Sequence, residues 1–261
     1  QLSESRNPLI SAFFIFILAF IGAQVIGGSI GAIAGYLFFD GPLTESVEIF
    51  TSASTDIRFK IPLYVMQGIS SIAGFIVIPM IFVFMYEKQT IGSFFQKKVH
   101  WTLLILAGVI SISFAGFNSW IVEWNANIEF PEFLSGFEQF ARQMEDQLME
   151  VTMYLTEFES FGVFFLAFIV IAIVPGIGEE LVFRGFLQNY FHSAFKNIHV
   201  AIWVSAILFS AIHMQFFGFV PRVLLGALFG YLYFWSGNLL VPIVGHIVNN
   251  CSMLLLMYLH Q

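Results

Sequence analysis

Runs of almost uninterrupted apolar residues, near 9–39, 62–86, 101–122, 160–178, 199–217, 220–236 and 239–259, decide what this chain can fold into. At a rise of about 1.5 Å per residue, such runs reach across the ~30 Å hydrocarbon layer of a bilayer. A backbone crossing lipid must satisfy its polar groups internally, and runs of this length do so as helices. The expected fold class is therefore all-α: a polytopic transmembrane helical bundle of about seven spans (six to eight). Composition supports the same solvent. Hydrophobic residues make up 58% of the chain, charged residues 10%, and there are 34 phenylalanines, which excludes an ordinary soluble domain.

Charge and cysteine content narrow the functional classes. Only 10 Lys and Arg residues are present, spread out apart from the Lys97-Lys98 pair, and the formal charge is -7, so nucleic acid is not an expected partner. Cys251 is the single cysteine, which leaves no internal disulfide and no thiolate metal cluster, and its neighbours Asn250 and Ser252 supply no activating base. The first run carries no small-residue cleavage site with polar flanks and reads as a retained span.

The chain divides at about residue 160. Residues 1–159 hold the first three runs, a polar connection at 40–60 and an acidic connection at 123–159, where Phe133 to Tyr154 has apolar residues at the spacing of an amphipathic surface helix. Residues 160–261 hold the remaining runs and are expected to form a core packed with the rest as one membrane domain. Within it, Pro175, Gly176 and Gly178 read as a break that separates a span from a second helix and allows an eighth, re-entrant or interfacial piece. Lys88, Lys97, Lys98 and Lys196 fall on one side of the span pattern and the acidic connection on the other. The positive-inside rule then puts the N-terminus and the lysine-bearing turns in the cytoplasm, and the expected location is a prokaryotic inner membrane. Gly27, Gly31 and Gly35 form a small-residue stripe on the first span, suited to packing helices within the chain, with a homodimer face as its second use; Gly226 and Gly230 do likewise.

Polar groups inside the apolar runs carry the chemistry. Glu179 and Glu180 lie in Pro175-Gly-Ile-Gly-Glu-Glu-Leu-Val-Phe-Arg184, and a charge at bilayer depth costs about 2.5–3.5 kcal/mol on insertion scales, so an acidic pair there points to function. Glu180 and Arg184 share a helix face as an ion pair, while Glu179, rotated by about 100°, is left to face a polar cavity and accept a proton from water. His213 and, four residues apart on the last span, His246 and Asn250 are the other polar sets. A histidine and an asparagine side by side are donors suited to a developing oxyanion, and His213 is suited to holding water. His192, His199 and His260 lie at span ends and read as interfacial. A proton relay or transporter built on Glu179 and His213 would need a continuous polar path through the other spans, and Gln24 and Gln67 do not supply one.

Glu179-Glu-Leu-Val-Phe-Arg184, Phe209-Ser-Ala-Ile-His213 and His246-Ile-Val-Asn-Asn250 resemble, in order, the Glu-Glu-x-x-x-Arg, Phe-x-x-x-His and His-x-x-x-Asn signatures of the CPBP intramembrane proteases. These are the type II CAAX prenyl endopeptidases and their bacteriocin-processing relatives, also called the Abi family. The resemblance covers about residues 160–255, and residues 1–159 carry no motif that matches. It implies that Glu179 activates water bound with the help of His213, that His246 and Asn250 stabilise the oxyanion, and that Glu180 and Arg184 support the site. No cofactor is expected; the alternative is a zinc ion on Glu179, His213 and His246. The expected partners are the lipid bilayer and a membrane-associated or lipidated peptide or protein substrate, with a membrane complex or homodimer as a further assembly. A non-catalytic scaffold or immunity-type protein on the same fold is the alternative function.

Overall fold

The computed structural model describes residues 7–42, 44–45, 57–88 and 90–260. Residues 1–6 and most of the polar 40–60 connection lie outside that set. Among the described residues the regular secondary structure is helical. We number the helices α1 (Pro8–Tyr36), α2 (Lys60–Tyr86), α3 (Trp101–Ala126), α4 (Ser135–Thr156), α5 (Phe161–Phe195), α6 (Ile198–Ala211), α7 (Phe219–Ser236) and α8 (Leu240–Leu259). Six of them are long and apolar enough to cross a membrane, and the chain is an integral membrane protein.

Two expectations about the spans are corrected. The 199–217 run is helical only to Ala211, and 14 residues rise about 21 Å, too little to cross the hydrocarbon alone. It forms instead the ascending arm of a hairpin with α7, turning through Met214 at φ 55°. The 160–195 stretch is not broken at Pro175. It runs as one 35-residue helix, with wider π-type turns at Phe168–Ile173 before the proline and Leu181–Leu187 after it. At about 52 Å, α5 outruns the hydrocarbon layer and carries its last turns past it. The expected amphipathic segment is α4, and it lies across the end of the bundle opposite the lysine-bearing turns.

Caps and glycines explain where helices start and how closely they pack. Asn7, Ser160 and Asn197 accept N-terminal N–H bonds for α1, α5 and α6. The glycine stripe of α1 is used within the chain: a Cβ on Gly31 would lie 2.7 Å from the Met66 carbonyl oxygen, and one on Gly27 would lie 2.7 Å from Ser70 Cα, so α1 and α2 meet at backbone distance. Gly226 and Gly230 do the same for α7 against Ala206 and Ile202 of α6. Asn238 donates to Lys97 O at 2.7 Å and Leu239 N to Phe94 O at 2.8 Å, so the α7–α8 turn lies on the same side as the 87–99 connection. At the other end, buried Lys60 donates to Glu157 O at 2.7 Å and pairs with Glu159 at 2.8 Å, tying α2 to the end of α4.

Candidate active site

The π-type turn at Leu181–Leu187 is wholly buried, and it aims Glu180 and Arg184 into the bundle. Arg184 Nη1 donates to Glu180 Oε1 at 2.8 Å, with the two residues 1% and 0% exposed. Its Nη2 donates to Gly226 O at 2.8 Å, and one turn on Gln188 donates to Gly230 O at 3.1 Å. The missing side chains of α7 thus let two polar groups of α5 reach its backbone. A guanidinium bridging a carboxylate and a carbonyl is a strongly bonded way to bury that charge. Three aromatic rings enclose the pair. The Arg184 guanidinium lies 4.7 Å from the Phe209 centroid and 5.5 Å from that of Phe229, and Phe183 meets Phe209 edge-on at 5.2 Å.

His246 of α8 stacks on Phe229 with centroids 5.0 Å apart, and its Nδ1 lies 2.8 Å from Glu180 Oε1. A carboxylate only accepts, so this bond puts a proton on Nδ1 and fixes the ring's orientation. Nε2 then faces Glu179 Oε2 at 3.9 Å. The two adjacent glutamates are therefore unlike: Glu180 is committed to Arg184 and His246, whereas the Glu179 carboxylate, 12% exposed, makes no hydrogen bond to the described residues.

His213, in the turn after α6, joins through an aromatic hub. Its ring packs against Phe209 at 5.1 Å, and the same Phe209 ring lies 6.1 Å from His246. Its Nδ1 is 2.7 Å from Phe209 O, which can only accept, so Nε2 keeps an open lone pair. Asn250 shares its α8 face with His246, and its Nδ2 donates to Ile171 O at 3.0 Å while its Oδ1 accepts from Asn249 Nδ2 at 3.1 Å. The Ile171 carbonyl lies four residues before Pro175, whose missing N–H would otherwise have bonded it. The proline and the asparagine are thus two parts of one device, which pins α8 to α5 beside the glutamates.

Among the described residues no group of three or more His, Cys, Asp or Glu side chains converges to hold a metal ion, and the zinc set of Glu179, His213 and His246 does not form one. A cavity of about 910 Å³ lies between α3, α7 and α8, with Glu145 and Met149 of α4 also in its wall. Arg222 and Asn249 line it, and Arg222 stands in electrostatic reach of Glu179 and His213. Sequence reasoning passed over Phe229, Gln215, Asn118 and Arg222. Arg222 carried a readable signal, because it is a charge inside an apolar run.

An integral membrane bundle with a buried Glu–Arg–His cluster beside an unbonded glutamate is the class that fold and site define. Residues 161–252 match the family model described as type II CAAX prenyl endopeptidase Rce1-like. Over those residues the chain is similar to the family whose signatures the three motifs resemble. The chain is also similar to a protein of Bacillus subtilis (strain 168) described as "Uncharacterized protein YpbD", with 29% identity over 84 residues, which is 31% of this chain and 40% of that protein. No solved structure matches the chain.

Proposed function

We propose that the protein is an intramembrane endopeptidase that hydrolyses a peptide bond in a membrane-associated or lipidated substrate, with Glu179 as general base. The family match supports the protease class, and the arrangement of the two glutamates carries the assignment of roles. Glu179 has both oxygens unspent on described protein groups, whereas Glu180 Oε1 takes both Arg184 and His246, and Glu179 sits opposite an imidazole nitrogen 3.9 Å away. An oxygen about 2.8 Å from both atoms fits at the apex of that gap.

Each proton can then be followed. Water held near His213 Nε2 gives a proton to Glu179, and the hydroxide attacks the peptide carbonyl carbon. The C=O electrons move to oxygen, and the resulting oxyanion is met by Nε2–H of His246 and an Asn250 amide hydrogen. Donation from Nε2 requires the doubly protonated ring, because Nδ1 already donates to Glu180. Protonated Glu179 then passes its proton to the leaving nitrogen as the C–N bond breaks, giving a carboxylate and an amine. Glu180 and Arg184 hold the imidazole and touch no reacting atom. No step in this scheme needs a metal ion. The protein sits in a prokaryotic inner membrane with its N-terminus and its lysine-bearing turns in the cytoplasm. The lysines of the 87–99 connection support that orientation.

The test is cleavage in liposomes of a panel of membrane peptides that includes a farnesylated CAAX peptide. Wild type is compared with Glu179→Gln and His246→Ala, with and without a chelator. Cleavage by wild type that both substitutions abolish is expected, unchanged by the chelator; cleavage that survives Glu179→Gln overturns the base assignment.

A further inference from the structure

The cavity between α3, α7 and α8 is apolar on most of its wall, with Leu225 and Met253 among its side chains, and among the described residues that line it Arg222 is the basic one. This arginine is not held as Arg184 is. Its Nη2 donates to Gln215 Oε1 at 2.6 Å and its Nη1 lies 3.4 Å from Gly218 O, and no carboxylate is within ion-pair distance among the described residues. Glu145 reaches it through Gln215. Gln215 Nε2 donates to Glu145 Oε1 at 3.3 Å, and Glu145 Oε2 is buried with no hydrogen-bond partner. A buried carboxylate oxygen without a donor is uncommon in a folded protein. Here it comes from α4, an amphipathic helix that lines the cavity, and Gln215 bonds both this glutamate and the Arg222 guanidinium.

We propose that the cavity receives the substrate segment on one side of the cleaved bond, and that Arg222 binds a carboxylate of that segment, in exchange for its indirect contact with Glu145. The proposal deepens the protease reading and rests on it. An arginine fork matches a carboxylate with two parallel bonds, which glutamine does not offer. Arg222 is also in electrostatic reach of Glu179, and Asn249 bonds Asn250, so a segment anchored there runs up to the reacting groups. The carboxylate can come from an acidic side chain or from a chain end.

The test measures binding and cleavage separately. Fluorescein-labelled, N-palmitoylated apolar peptides are titrated into Glu179→Gln protein in nanodiscs, in three forms: a free C-terminal carboxylate, a C-terminal amide, and a C-terminal amide with one internal Asp. At least one acidic form is expected to bind on the order of tenfold more tightly than the neutral amide, since a bond to a charged group is worth that much. The free-acid and Asp arms identify the source. Arg222→Gln removes the preference, Arg222→Lys retains part of it and shows that the site still folds, and Lys98→Gln, an exposed control, leaves it intact. Glu145→Gln tightens the acidic peptide. Equal binding of acidic and neutral peptides, or a preference that survives Arg222→Gln, overturns the proposal. A charge preference without cleavage by wild type would sink the hydrolysis reading and leave the carboxylate site standing; cleavage without the preference would do the reverse.

Discussion

Removing Arg184 leaves the Glu180 carboxylate at 0% exposure with one oxygen, Oε2, already without a donor and the other held by His246 alone. Breaking a buried pair by deleting one partner costs about 3–5 kcal/mol, so Arg184→Met is expected to destabilise the bundle by that amount. Glu180→Met leaves Arg184 with one anchor, the Gly226 carbonyl, and falls in the same range. The double variant puts two apolar chains into an apolar, aromatic box. Its remaining penalty is the orphaned Nδ1 of His246, about 1–3 kcal/mol. The double variant is thus more stable than either single one, and the coupling energy is at least about 2 kcal/mol. Reversible denaturation in mixed micelles, followed by tryptophan fluorescence, reads all four proteins. Additive losses in the double variant would refute the reasoning, because they would mean that the two charges do not compensate each other.

Gly31→Leu places side-chain atoms where the Met66 backbone already lies 2.7 Å from a Cβ; overpacking of this kind costs about 1–3 kcal/mol, seen as a lower midpoint in the same denaturation. Pro175→Ala restores an N–H that competes with Asn250 for the Ile171 carbonyl; activity is expected to fall while the folded bundle persists, measured as turnover against thermal midpoint. Glu138 accepts from Arg142 at 2.7 Å and from the Phe130 N–H at 3.1 Å, which lowers its pKa from 4.5, the Arg142 bond most of all. Its folded value lies below its unfolded one, so this clamp contributes above the unfolded value and is lost as pH falls through the folded value. Amide-exchange protection at Phe130 should drop over that acid window and hold above it.

Much of this was legible because lipid makes polar residues conspicuous. Glu180 and Arg184 are four apart in an apolar run, and they do pair. The amphipathic pattern of Phe133 to Tyr154 does become α4. What stayed hidden depended on contacts between distant segments. Proline chemistry alone argues for a break at Pro175, but Asn250, 75 positions later, takes the stranded carbonyl and the helix continues. The 199–217 run is mostly apolar, yet a left-handed turn at Met214 ends its helix early. His246 and Asn250 could be placed on one face, but not that Glu180 would take one imidazole nitrogen and aim the other at Glu179. That Gln215, inside the 199–217 run, would link Glu145 of the amphipathic helix to Arg222 carried no sequence signal.

The central claim is the division of labour between adjacent carboxylates, and Glu179→Gln and Glu180→Gln measured side by side test it most directly. For each, turnover of a cleaved membrane peptide and the denaturation midpoint are read in the same lipid. The account predicts that Glu179→Gln abolishes turnover with the midpoint unchanged, and that Glu180→Gln lowers the midpoint while leaving residual turnover. Turnover retained in Glu179→Gln and abolished in Glu180→Gln, with both proteins equally stable, would contradict it.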